Sequence, residues 1–174
     1  MLDRLDQLYA IGGGPGANRV GATAEEDEAH RLAAAWMREA GLDVEVDPAG
    51  NLLGRLRGRA PDAPEIWTGS HLDSVPNGGR FDGALGVAAA IEAVERVGGA
   101  ERTLTVVVFR DEERGCHGSR ALAGSGTGLP GAFVELHVEQ GPVLERADAP
   151  LGLVTAVVGI ARGEATFTGR AGHA

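Results

Sequence analysis

A chain of 174 residues, 43% of them hydrophobic, is long enough for one domain with a sizeable core and too apolar to be disordered. Its net charge of -9 argues against a nucleic-acid partner, which selects a basic face. All sixteen basic residues are arginine, which excludes a P-loop lysine, a Schiff-base lysine and a lysine general base. Cys116 stands alone, so neither an intrachain disulfide nor a thiolate metal cluster is possible. The N-terminus has no secretory apolar region and no apolar run reaches the roughly 18 residues of a membrane span. A cytoplasmic, reducing setting is expected, away from membranes.

Residues 3–11 predict a short helix, ended by the turn "GGGPG". Thr23 and Glu26 have capping-box spacing, and the helix they open carries Leu32, Ala33, Trp36, Met37 and Ala40 on one face before Gly41. "LDVEV" and "NLLGRLR" predict a hairpin across "DPAGN". "IWTGSH" and "TLTVVVF" are apolar runs separated by a helix from about Ala84 to Val97. That unit predicts a parallel pair in a sheet covered on both faces. "AFVELHV" reads as another buried strand and "LGLVTAVVGI" as one more. "GEATFTG" alternates like the first strand of a different sheet, and the chain stops in mid-pattern at "GRAGHA".

The expected fold is therefore a three-layer α/β/α sandwich with a mostly parallel central sheet. Sites in such sheets form at the carboxyl ends of strands. His71 and Asp73 follow the first apolar strand, with Asp82 in the glycine-rich loop beyond. Asp111, Glu112 and Glu113 follow the second, and His137, Glu139 and Gln140 close the third. Histidines and carboxylates without cysteine suit zinc or a related divalent ion. Asp82 has one oxygen for each of two metals, and Asp73 is placed to accept the other ring proton of His71. Of the adjacent Glu112 and Glu113, a cation satisfies one and leaves the other for proton transfer. Cys116 and His117 are neighbours whose side chains point apart on an extended chain, so they do not read as a nucleophile pair.

"TGSHLDSVPNGGRFDGALGV", "DEE", "GSRALAG", "ELHVEQGPVLE" and "GRAGHA" resemble, in order, the signature blocks of the metal-dependent carbamoylase family. That family includes N-carbamoyl-L-amino-acid hydrolases, allantoate amidohydrolases and β-alanine synthases, within a wider clan of di-zinc aminopeptidases and deacylases. The resemblance covers nearly the whole chain. It implies hydrolysis of a linear ureido or amide carbon–nitrogen bond with two divalent ions, zinc foremost, with manganese, cobalt or nickel as alternatives. By position, His71 and His137 would bind the first ion, Asp82 would bridge both, with a cis peptide following it, and Glu113 would bind the second. Glu112 would be the general base, Asp73 would orient His71, and Gln140 would hold substrate. His173 would polarise the scissile carbonyl, commonly in the other subunit of a homodimer.

Two departures stand out. Arg114 takes the place of the family's glycine, with a shorter spacer to "GSR". Family members also run to more than twice this length, so the chain reads as an N-terminal fragment, inactive alone. Residues 1–160 would be catalytic domain, and 161–174 the start of a ferredoxin-like lid and dimerisation domain. The missing part would hold the substrate-binding asparagine and arginine and a last histidine for the second ion. Two other readings stand beside this one: a di-zinc peptidase or N-acyl deacylase of the same clan, and a non-catalytic metal-binding remnant. The peptidase branch usually carries an acidic residue where His137 stands.

Overall fold

The computed structural model describes residues 1–125, 128–157, 159, 163–170 and 172. The chain divides into two units, Met1–Val138 and Glu139–Ala174. In the first, α1 (Leu2–Ala10) and α2 (Ala24–Glu39) precede the hairpin β1 (Asp43–Val46) and β2 (Leu52–Leu56). Then come β3 (Ile66–His71), α3 (Ala84–Val97), β4 (Leu104–Phe109), α4 (His117–Gly124) and β5 (Ala132–Val134). The second unit contains α5 (Val143–Arg146).

The five strands form one sheet in the order β1-β2-β4-β3-β5. Its core is parallel, β4 and β5 each running beside β3, while the β1–β2 hairpin adds on antiparallel. Alternation along β4 sorts its side chains between two layers. Val106 and Val108 join Leu5, Leu8, Met37, Val87 and Ile91 under α1, α2 and α3. Val107 turns to the other face with Leu53 and Trp67, where Leu122 of α4 packs. Helices thus cover both faces, as the strand–helix–strand pattern predicts. Alanines dominate the inner face of α3 and let it lie close on β3, and Gly98 ends it in the left-handed conformation at φ 65°.

Several expectations are corrected. Thr23 is the N-cap of α2, but its hydroxyl donates to the Val20 carbonyl and no side-chain cap forms. Glu26 instead accepts from Ala22 N–H at 2.6 Å, because its carboxylate is drawn into the interior beside Arg110. "AFVELHV" pairs only over Ala132–Val134, and that strand is exposed. β5 is one edge of the sheet, where Phe133 meets Phe109 edge-on with 5.8 Å between ring centroids and Val134 is exposed. Neither "LGLVTAVVGI" nor "GEATFTG" contains a strand among its described residues, so the expected first strand of a lid does not form there. A lone extended segment has no ladder partner for its N–H and C=O groups.

Candidate metal centre

The parallel register sets the site. Ile66 lies beside Leu104 and His71 beside Phe109, so β3 and β4 end side by side and their exit loops meet. On the other side Ile66 pairs with Ala132, a register that carried onward brings His137 level with His71. The two imidazole rings lie 6.1 Å apart, centroid to centroid, and are stacked at 29°.

Asp82 reaches the same place through the loop between β3 and α3. Gly83 turns the chain at φ 60°, and a Cβ there would lie 2.6 Å from Cε1 and 2.7 Å from Nδ1 of His71. Only glycine allows the loop to pass so close to the imidazole. The resemblance implies a cis peptide after Asp82; among the described residues no cis bond occurs, and Gly83 makes the turn with trans bonds. Asp82 Oδ1 then lies 3.3 Å from His137 Nε2 and 3.9 Å from His71 Nε2.

His71, Asp82 and His137 each offer a ligand atom within 4.8 Å of the others. Zinc–nitrogen and zinc–oxygen bonds of about 2.0–2.2 Å put neighbouring tetrahedral ligand atoms about 3.3–3.6 Å apart. The triad fits one divalent ion with little movement.

Asp73 is fully buried behind this triad. Its Oδ1 lies 3.3 Å from His71 Nδ1 and accepts from Glu112 N–H at 3.0 Å, while Oδ2 accepts from Glu113 N–H at 3.0 Å. One carboxylate thus sets the His71 ring and pins the backbone of both glutamates. Burial alone would raise its pKa, but the His71 ring and the two amides hold it below the usual range. His71 shows the complementary effect. Burial would depress it, but Asp73 first, then Glu112 and Asp82, push it up to about 9. The site draws positive charge to His71, the electrostatic demand a cation would meet. Glu112 Oε2 lies 3.9 Å from His71 Nε2. Burial raises the Glu113 carboxyl, His71 lowers it, and Asp82, Glu112 and Asp73 raise it further.

Arg114 does not disrupt this loop. Its Nε and Nη2 fork onto Asp111 at 2.8 Å each, and His117 Nδ1 meets the same carboxylate at 2.5 Å. Arg114 first, and then His117, outweigh burial and lower Asp111 to about 2. Cys116 donates its thiol to Glu112 Oε1 at 3.3 Å, and His117 turns to Asp111, so the two neighbours point apart as expected. Gln140 belongs to the second unit, at φ 58°. Beside it, Glu139 accepts the Val143 and Leu144 amides at the start of α5. His173 lies outside the described residues.

Sequence reasoning missed two fully buried charges, Arg19 and Glu26. Arg19 donates through its guanidinium to the carbonyls of Leu72 and Leu8, its N–H donates to the Ser74 hydroxyl and its carbonyl accepts from Ser74 N–H, bracing the segment that carries Asp73. Glu26 had a legible signal: it continues the α2 stripe of Ala29, Ala33 and Met37, all buried.

A model of peptidase family M20/M25/M40 matches residues 67–170. The N-carbamoyl-L-amino acid amidohydrolase of Geobacillus stearothermophilus is 42% identical, over 100% of this chain and 54% of the relative. The chain belongs to the M20/M25/M40 family. A ureidoglycolate hydrolase of Arabidopsis thaliana is 33% identical over 100% of this chain and 48% of its own length. The crystal structure of a hydantoinase/carbamoylase family amidase from Burkholderia ambifaria aligns with TM-score 0.74 and 31% identity, covering 84% of this chain and 46% of that one. The chain spans about half the length of the M20-family relatives it matches. The five-stranded sheet with helices on both faces is the amidase fold, and the His71–Asp82–His137 cluster sits at its strand ends.

Proposed function

We propose that the complete protein is a metal-dependent hydrolase of linear carbon–nitrogen bonds in ureido or amide substrates, such as N-carbamoyl-L-amino acids or allantoate. The observation that carries this reading is the His71–Asp82–His137 triad with Glu112 poised 3.9 Å from His71, in a chain whose relatives are carbamoylases. His71, Asp82 and His137 would hold one divalent ion. Asp82 and Glu113 would hold a second, zinc foremost, with manganese, cobalt or nickel as alternatives. A bound ion supplies Lewis acidity, bringing the pKa of water toward neutrality and polarising a carbonyl.

The remaining work falls to side chains. Asp73 fixes the His71 ring, and Glu112 takes a proton from the attacking water. The water oxygen bonds to the carbonyl carbon, the carbon–nitrogen bond breaks, and Glu112 returns its proton to the departing nitrogen. From a ureido substrate the carbamate so formed splits into carbon dioxide and ammonia; from an amide the product is the carboxylate. Gln140 binds substrate, and His173 polarises the carbonyl in the partner subunit of a homodimer. The catalytic domain runs to about residue 160, and the lid domain begins at 161. The lone free Cys116 supports a cytoplasmic setting. No helix among the described residues is long and apolar enough to cross a membrane.

In the full-length protein, Glu112→Gln should keep its metal and lose about 10²–10⁴ in kcat. Normal turnover by that variant removes Glu112 as the base. N-carbamoyl amino acids, allantoate and dipeptides assayed side by side test the substrate class; preferential cleavage of dipeptides makes the protein a peptidase of the same family. The 174-residue chain alone should bind metal without turnover.

A further inference from the structure

The exit of β4 presents three consecutive backbone amides to buried carboxylates. Asp111 N–H donates to Glu26 Oε1 at 2.7 Å, and Glu112 and Glu113 N–H donate to the two oxygens of Asp73. Asp73 belongs to the site already described. Glu26 lies on α2, 85 residues away in sequence from Asp111, and touches none of the triad.

We infer that Glu26 is a positioning residue for the loop that carries Glu112 and Glu113; the inference rests on the metal-site reading above. Asp111 sits at φ 51°, a left-handed backbone that aspartate tolerates better than most side-chain-bearing residues but that still costs it free energy unless local contacts hold it. Its carboxylate is held by Arg114 and His117, and its carbonyl accepts from His117 N–H at 3.1 Å, which leaves its amide to be fixed from elsewhere. What fixes its amide is Glu26. The contact is not redundant with charge pairing. Arg110 meets Glu26 through Nε at 2.8 Å, but its Nη2 also meets Asp27 at 2.7 Å, so a neighbouring carboxylate remains for that cation. Among the described residues the Asp111 amide has only Glu26.

Both routes from this loop to the ion pass through the next two residues. One is the Glu113 carboxylate itself. The other is Asp73, whose oxygens are shared between the amides of Glu112 and Glu113 and the His71 ring. A shift at Asp111 therefore reaches the donor set without any contact between Glu26 and the ion.

The test uses the 174-residue chain with zinc or cobalt alone as probe. Glu26→Gln changes charge and one hydrogen-bond acceptor at constant shape. It should weaken zinc affinity about tenfold, the lower end for groups that support ligands, and shift the visible absorption of bound cobalt. A purely structural role would lower the melting temperature and leave both readouts of the folded protein alone. His71→Ala is the control and should abolish binding. If it does not, the metal-site reading fails and the inference with it. If His71→Ala abolishes binding while Glu26→Gln stays within about twofold with an unchanged spectrum, the inference alone fails. Should Glu26→Gln not fold, the wild-type chain decides by hydrogen exchange. Coupling is reciprocal, so zinc should slow exchange at the Ala22 amide, the other backbone amide that donates to Glu26. Unchanged Ala22 exchange overturns the proposal.

Discussion

Met1–Val138 and Glu139–Ala174 are both rich in apolar residues, but they use them differently. In the first unit, strands in fixed register are covered by α1, α2 and α3 on one face and α4 on the other, and the buried core lies there from Leu5 to Val108. In the second, Leu153 and Phe167 are 90% and 95% exposed, and α5 is its one helix among the described residues. The stretch "LGLVTAVVGI" is as hydrophobic as "TLTVVVF". The difference is that β4 has β2 and β3 beside it and helices across it, whereas 151–157 has no paired strand. Apolar composition provides the drive to bury; order follows only where partners satisfy the backbone as well.

The sharpest way to break this comparison is through the metal. His71→Ala should abolish zinc binding, while a chain ended after Val138 should bind as tightly as the whole, since the triad lies within the first unit. Isothermal titration of both reads the result, and loss of binding on truncation would show that the second unit supplies a ligand.

Core truncation comes next. Ile91 is fully buried under the sheet, and Ile91→Ala should cost about 2–5 kcal/mol by urea unfolding. A smaller loss would mean that the first unit is less tightly packed than its burial shows.

Acid sharpens it further. Burial first, then Arg110, lowers His30 to about 4. The unfolded chain, with an ordinary histidine near 6.5, then binds a proton that the folded chain rejects. Stability from this group is therefore full above pH 6.5 and is lost as pH falls toward 4, by about 3 kcal/mol. Glu26 opposes part of that loss, since burial raises its carboxyl pKa. His30→Leu should flatten this limb in unfolding curves taken between pH 7 and 4; an unchanged slope removes His30 as its source.

The smallest effect belongs to the second unit. Phe167→Ser should change stability by less than about 0.5 kcal/mol, because an exposed ring loses no packing when removed. A larger drop in the unfolding midpoint would mean that Phe167 is covered in solution.

Much of the site was legible in the chain because its chemistry sits where strands end. His71, Asp73 and His137 follow apolar runs directly, and Asp82 sits in a loop whose glycines announce a close approach. The four converge in the structure as the spacing suggested. Arg19 was not legible in the same way, and Glu26 only through its place on the apolar stripe of α2, because a charged residue in a helix or loop reads as solvated until the layer above it is known. The burial of "AFVELHV" was misjudged for a related reason. An apolar strand has the same sequence at a sheet's edge as at its centre.

Local periodicity and residue chemistry settle the parallel unit Ile66–Phe109, the hairpin before it and the histidines and carboxylates at the strand ends. Tertiary structure alone decided the strand order that sets His137 level with His71, the burial of Glu26 against the Asp111 amide and the exposure of β5. These depend on which element lies next to which, and contact across the fold, unlike periodicity, is not written in neighbouring residues.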